Sequence, residues 1–336
     1  MKWVILVWVL AGSGCWFPED QRNVVIGEML PPRFVSAEMT GTDTARLVFD
    51  RPAEADPSML QVSRGIGVSR VQQEDSTLLL TFTSALERGE QYMLQGTFSG
   101  AGGSSLQLSI ALYGFNPNPA EMIINELTSR GSNAHPDRIE LFVTASGNTG
   151  GITCYDGTPQ EYRQRKILPA VDVEKGSYII LHVHPDSSSV KDELEHTAES
   201  SAVGTHDEAW DFFIPEGIGL SGNNGVITVT YTPQGALMDG VFYSNRTSDS
   251  DERYRGFGST LMLQQVMRLC RMGGWDAHAD HVRPEDGIPS TYSTATRSMS
   301  RLPDSYTRHN RDWITAPTRG ATFGWENNTQ PYIPDP

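Results

Sequence analysis

Cysteine, lysine and long hydrophobic runs are all scarce in this 336-residue chain. Three cysteines, Cys15, Cys154 and Cys270, are too few to build a disulfide framework, so packed hydrophobic cores must carry the fold. Lysine occurs only at positions 2, 166, 175 and 191, and the formal net charge is -15. A negative field of that size repels phosphate backbones and argues against nucleic acid as a partner. The one sustained apolar run, residues 3–10, falls well short of the about 20 residues that a membrane-spanning helix needs. Nucleophile and phosphate-binding signatures are missing too. There is no G-x-S-x-G and no G-x-x-x-x-G-K-[ST], and Gly65-Ile66-Gly67 lacks the third glycine of a dinucleotide fingerprint. No cofactor is implied.

The N-terminus is informative. Lys2, the apolar run and Ala11-Gly12-Ser13-Gly14 have the layout of a secretory signal over residues 1–14. Cys15 follows at once. Small residues before a cysteine at this place resemble a bacterial lipoprotein signal, with Gly12 standing where that family favours leucine. The resemblance implies export, a lipid on Cys15 as the new N-terminus, and the membrane as a partner. Each buried methylene of such a lipid contributes about 0.8 kcal/mol, so several acyl chains would hold the protein in the bacterial cell envelope. Trp16 stands where many enterobacteria use Asp for inner-membrane retention, which points to the outer membrane. Gly12-Ser13-Gly14 also satisfies ordinary small-x-small cleavage, which would leave a soluble secreted chain. In an oxidising compartment Cys154 and Cys270 read either as one disulfide or as two separately buried thiols.

The length suits two domains. A tether over residues 15–32 ends in Pro31-Pro32. Over 33–113, short strands at 34–39, 45–49, 60–62, 77–82, 91–98 and 106–112 alternate with Gly, Pro and Asp turns, the pattern of an antiparallel sandwich. "VSAEMTGTDTARLVFDRP" resembles the opening strand, turn and second strand of a bacterial immunoglobulin-like domain. "GFNPNPAE", 114–121, reads as a linker.

Four blocks then follow in order: "MIINELTSRGSNAHPDRIELFV" (122–143), "GSYIILHV" (176–183), "GLSGNNGVITVTYTPQGALMDGVFY" (219–243) and "RSMSRLPDSYTRHNRDWITAPTRGATFG" (297–324). Together they resemble a lamin tail domain, an immunoglobulin-like β-sandwich, with Arg138 where an aromatic residue is usual. The domain is expected over 122–325, with insertions at about 156–172, 184–215 and 244–296 and a Pro-rich tail at 326–336. The last insertion predicts an amphipathic helix over 259–272, its stripe formed by Leu261, Gln265, Val266, Leu269 and Cys270 and packed on the sandwich. The expected fold class is therefore mainly β: two antiparallel β-sandwich domains in series, the second with long insertions that include a short helix.

Two patterns suggest chemistry. In "WDAHADH", Asp276, His278, Asp280 and His281 resemble the H-x-H-x-D-H loop of metallo-β-lactamase-like hydrolases, which holds zinc and a metal-bound hydroxide. The plain alternative is a solvated polar loop. His182 and His184, at i and i+2, would share one face of a strand and could offer two imidazoles to a divalent metal, or sit at a half-exposed edge. No residue is assigned a catalytic role. The expected function is non-catalytic: binding, adhesion or envelope organisation through sandwich loops, with an unknown protein or glycan partner. The alternative is a metal-dependent extracellular hydrolase using the 276–281 loop.

Overall fold

The computed structural model describes residues 30–185 and 190–335; the expected signal, Cys15 and the expected tether up to residue 29 lie outside the described residues. The fold is mainly β, with antiparallel sheets in sandwich-like layers. Two compact units divide the chain, and residues 85–92 belong to the second.

In the first unit the strands are β1 (Phe34–Met39), β2 (Thr44–Phe49), β3 (Leu60–Val62), β4 (Ile66–Glu74), β5 (Thr77–Phe82), β6 (Gln91–Ser99) and β7 (Ser105–Tyr113). They run in the order β1-β2-β5-β4-β3-β6-β7. Period-two alternation turns Ala45, Leu47 and Phe49 of β2 and Leu78, Leu80 and Phe82 of β5 inward. Strand β4 pairs with β3 at its start and with β5 along the rest, with a register shift between Val68 and Arg70. It thus joins two halves of a sheet that folds over on itself, and Phe49 of β2 meets Phe98 of β6 with ring centroids 5.2 Å apart. This strand was not expected from sequence. Only Val68 along it is buried, so it carries no hydrophobic period.

The second unit contains β8 (Glu121–Thr128), β9 (Arg138–Ala145), β10 (Gly147–Asn148), β11 (Thr153–Thr158), β12 (Glu161–Ile167), β13 (Asp172–Val173), β14 (Tyr178–His182), β15 (Trp210–Phe213), β16 (Asn224–Thr230), β17 (Leu237–Ser244), β18 (Ile288–Pro289), β19 (Met299–Arg301) and β20 (Trp313–Thr315). A six-stranded sheet, β15-β14-β9-β8-β19-β20, packs against a five-stranded one, β12-β11-β16-β17-β18, and β10 pairs with β13. Ile124, Leu127, Ile139, Leu141, Ile227, Val229 and Val241 belong to the core. Part of the expected 156–172 insertion is the β11–β12 hairpin.

Helix α1 (Thr260–Arg271) covers the outer side of the five-stranded sheet. Ser259 caps it by accepting from the Met262 amide at 3.2 Å, and Met262, Gln265, Val266 and Leu269 are buried. Its stripe begins at Met262, while Leu261 is exposed. Gly240 of β17 admits the helix: a Cβ there would come within 2.5 Å of Leu269 Cδ1. The helix explains why β16 and β17 are buried almost throughout, as strands covered on both faces must be.

Sheet register corrects the disulfide reading. Tyr155 lies opposite Thr228 and Thr228 opposite Gly240, so these three share the helix-facing side. Cys154 lies opposite Val229 and Val229 opposite Asp239, whose carboxylate reaches across to the Ile124 amide of the other sheet. Cys154 therefore points between the sheets while Cys270 rides on the helix outside, and both are free thiols. Burial pushes both thiols up, that of Cys270 to about 11. A reductant is expected to leave the melting temperature unchanged, and thiol titration should count Cys154 only after unfolding. A reductant-sensitive melting temperature would restore the disulfide.

Candidate functional site

Of the predicted chemical loop, Trp275 is the structural anchor. It is buried, donates from Nε1 to the Asp286 carbonyl at 2.9 Å and meets the Phe242 ring edge-on. Asp276, His278, Asp280 and His281 are all exposed. The two imidazoles lie 5.0 Å apart, His278 Nδ1 accepts from the Asp280 amide at 3.3 Å, and the Asp280 carboxylate pairs with Arg271 at 3.1 Å. Among the described residues no three His, Cys, Asp or Glu side chains converge as a metal-holding group. Replacing His278 or His281 by alanine is expected to change the free energy of unfolding by no more than about 0.5 kcal/mol, as for surface positions generally, measured by urea titration.

His182 and His184 part company. Strand β14 ends at His182, so the i, i+2 pair is not carried on one strand. His182 is fully buried, its Nε2 2.6 Å from Asp211 Oδ1, and its ring stacks on Phe213 at 4.4 Å. His184 is exposed beyond the strand end.

Sequence reasoning missed a buried polar layer on the outer face of the six-stranded sheet. Glu126 of β8 and Glu140 of β9 are direct cross-strand partners, and both are fully buried. Glu126 accepts from the hydroxyls of Ser298 and Ser300 and from the amide and hydroxyl of Thr322. Glu140 accepts from the Gly324 amide at 2.5 Å and from Asn125 Nδ2 at 2.7 Å. Asn327 Nδ2 then donates to the carbonyls of Asn125 and Arg301 at 3.0 and 2.8 Å. The segment 322–327 is stapled over the sheet by these bonds. Arg138 offsets part of the charge. Its guanidinium lies 4.0 Å from the centre of the Phe323 ring.

A second staple lies beside it. The other oxygen of Asp211 accepts from the His206 amide at 2.8 Å, and Glu193 accepts from the amides of Asp211 and Ser200 at 2.8 and 3.0 Å. These bonds fix the 193–206 insertion. Burial raises both Glu126 and Glu140 above the usual carboxylate range, and Glu126 adds to the rise at Glu140. Two carboxyls this deep favour keeping a proton between them. Such a layer holds segments in place and titrates; its groups are engaged with one another.

The strand-end loops next to Thr128 and Arg138 are also tied together. Arg130 donates from Nε to the Gly222 carbonyl at 2.8 Å and from a terminal nitrogen to the carbonyls of Thr291 and Ser293 at 3.3 Å each. Asp137 accepts from the amides of Gly131 at 2.6 Å and Leu220 at 2.8 Å. Asn224 Nδ2 reaches the Phe257 carbonyl at 3.0 Å. Loops from four parts of the sequence thus form one bonded platform.

Among known proteins, residues 120–315 match the family model TP_1001_2nd, described as protein second domain. An uncharacterized protein of Treponema pallidum (strain Nichols) is 25% identical over 178 residues, 53% of this chain. The match spans 45% of that relative's length. Among solved structures, the N-terminal part of the bacterial S-layer protein SbsC aligns with a TM-score of 0.28 and 10% identity, over 67% of this chain and 46% of that one. Domains 1–6 of the surface layer protein SbsC align with a TM-score of 0.27 and 9% identity, over 67% and 42%. The family match covers more than half of the sequence, and the chain belongs to the TP_1001_2nd (protein second domain) family.

Proposed function

We propose that this protein is a non-catalytic cell-envelope lipoprotein, anchored at the outer membrane through Cys15, whose second, lamin-tail-like unit binds a protein or glycan through its loop platform. The observation that carries the reading is the tying of those loops by Arg130 and Asp137. Loops fixed in advance lose little conformational entropy on meeting a partner, which favours recognition over a loose surface. The engagement of Glu126, Glu140, His182 and Asp211 in structural bonds supports the same reading, since it leaves those groups to hold the fold. The hydrolase alternative draws no support from the 276–281 loop, whose four candidate side chains are exposed and do not converge.

Two experiments test the two halves of the proposal. Mass spectrometry of the mature N-terminus should find a lipid-modified Cys15; an unmodified chain starting elsewhere would remove the anchor. Capture from solubilised envelopes should enrich a partner with the wild-type chain and lose it with Asn133→Arg, an exposed change on the platform that breaks none of its bonds. Equal capture by both chains, or none by either, would contradict the loop reading.

A further inference from the structure

Cross-strand partners Phe142 on β9 and Tyr178 on β14 stand on the outer face of the six-stranded sheet, with ring centroids 5.3 Å apart and planes tilted by 49°. With Tyr306, from the turn after β19, they line a cavity of about 220 Å³ to which Asn125, Asn327, Asp304 and Glu326 also contribute. Asp304 and Glu326 are exposed carboxylates, and no ion pair engages them among the described residues. Asp304 holds its place with φ of 56°, in the left-handed region that few side chains adopt. Arg301 also borders the cavity, but its guanidinium is turned between the sheets, bonded to the Ile124 carbonyl and to Asp239. The surroundings are therefore aromatic and negative. Burial, followed by the charges of Glu140, Glu326 and Glu126, pushes the Tyr178 hydroxyl up to about 12.

We propose that this cavity binds an organic cation of the alkylammonium class, its charged head against the rings of Tyr178 and Tyr306 and paired with Glu326 and Asp304. Ring faces attract cations electrostatically, and apolar walls reward methyl or methylene groups that a hydrated metal ion does not have. An anion would meet the two rim carboxylates and the buried Glu126–Glu140 pair beneath. The volume suits a small head group, of the kind carried by a lysine side chain or by a methylated amine. The cavity lies towards the Ala145 end of β9, away from the loop platform at the Arg138 end, so its test and that of the platform are separable.

The test is a saturation-transfer NMR titration of the full chain with tetramethylammonium chloride and with n-butylammonium chloride, against sodium chloride at equal ionic strength. Saturable binding of at least one probe is expected. The tighter probe identifies a methylated head group or a lysine-like one. Tyr306→Ala should weaken binding at least about threefold, from the lost ring contact. Glu326→Gln should weaken it about two- to fivefold, as for an exposed ion pair. Both residues are exposed, so the fold tolerates the changes. No saturable signal above the sodium control, or equal affinity in the wild type and both variants, would overturn the proposal.

Discussion

Arg301→Ala is expected to destabilise the second unit by about 3–5 kcal/mol, because it strands a buried carboxylate. The Arg301 side chain is 2% exposed and that of Asp239 is 4% exposed, with 3.1 Å between them. Its Nε also donates to the Ile124 carbonyl at 2.8 Å, and a terminal nitrogen to the Thr307 carbonyl at 3.2 Å. Asp239 in turn accepts from the Ile124 amide at 2.9 Å. One side chain thus links β19, β8 and β17, and so both sheets of the sandwich. Removing it leaves the Ile124 carbonyl and the Asp239 charge without their main partner in a region closed to water. The cost should show as a lower urea midpoint. Arg301→Met combined with Asp239→Leu should recover much of the loss, since a buried ion pair replaced by apolar side chains is often neutral. A single-variant cost below about 1 kcal/mol, the ordinary scale of a surface pair, would show that the ion pair does not hold the sheets together.

The second large effect is on pH dependence. Glu126 and Glu140 face Arg138 on β9, with His182 on β14 and Asp211 on β15 further along the same face. Burial and mutual repulsion raise the native pair above the usual range, so the folded chain holds a proton that the unfolded chain releases near pH 4.3, about the ordinary glutamate value. Stability conferred by that proton is therefore complete at acidic pH and is lost as pH rises through the native value. The slope while one proton titrates is about 1.4 kcal/mol per pH unit. Glu140→Gln keeps the shape, removes one charge and offers a donor to Glu126. It should flatten the alkaline limb of a stability-versus-pH curve and exceed the wild type at pH 9. Asp156 is also raised, to about 6, by burial, but it is common to both chains and cancels in the comparison. Parallel curves for the two proteins would mean that both carboxyls ionise normally.

These two predictions rest on what was least visible in the sequence. The strands β2 and β5 were legible as short apolar stretches between Gly, Pro and Asp turns, and α1 was legible from its spacing. Strand β4 was hidden because one buried residue makes no period. The β11–β12 hairpin was read within an insertion because β12 carries Arg163, Arg165 and Lys166 on a half-exposed edge. Glu126 and Glu140 stood out only as parts of a resemblance. Glu140 alternates with Leu141, but strict alternation would put Glu126 on the same face as Ile124; a bulge at Asn125 turns it to the outer side, and a bulge has no local pattern to announce it. Their cover arrives from Ser298 and Thr322, 172 and 196 residues away from Glu126, a distance over which no periodicity speaks. His182 was read as a metal-ligand candidate or a half-exposed edge residue, and its buried partner Asp211 lies 29 residues on, across an insertion without a pattern. The helical position of Cys270 was evident, while the face of Cys154 required the register of three strands.

Hydrogen exchange at the Thr322 and Gly324 amides tests most directly whether the charged residues of this unit serve as staples. Both amides donate to buried carboxylates, Thr322 to Glu126 and Gly324 to Glu140. At neutral pH they should exchange as slowly as the amides of β8 and β9, and Glu126→Ala should release Thr322 while the β9 amides stay protected. Exchange of both amides at the rate of an unstructured peptide in the wild-type chain would contradict the account.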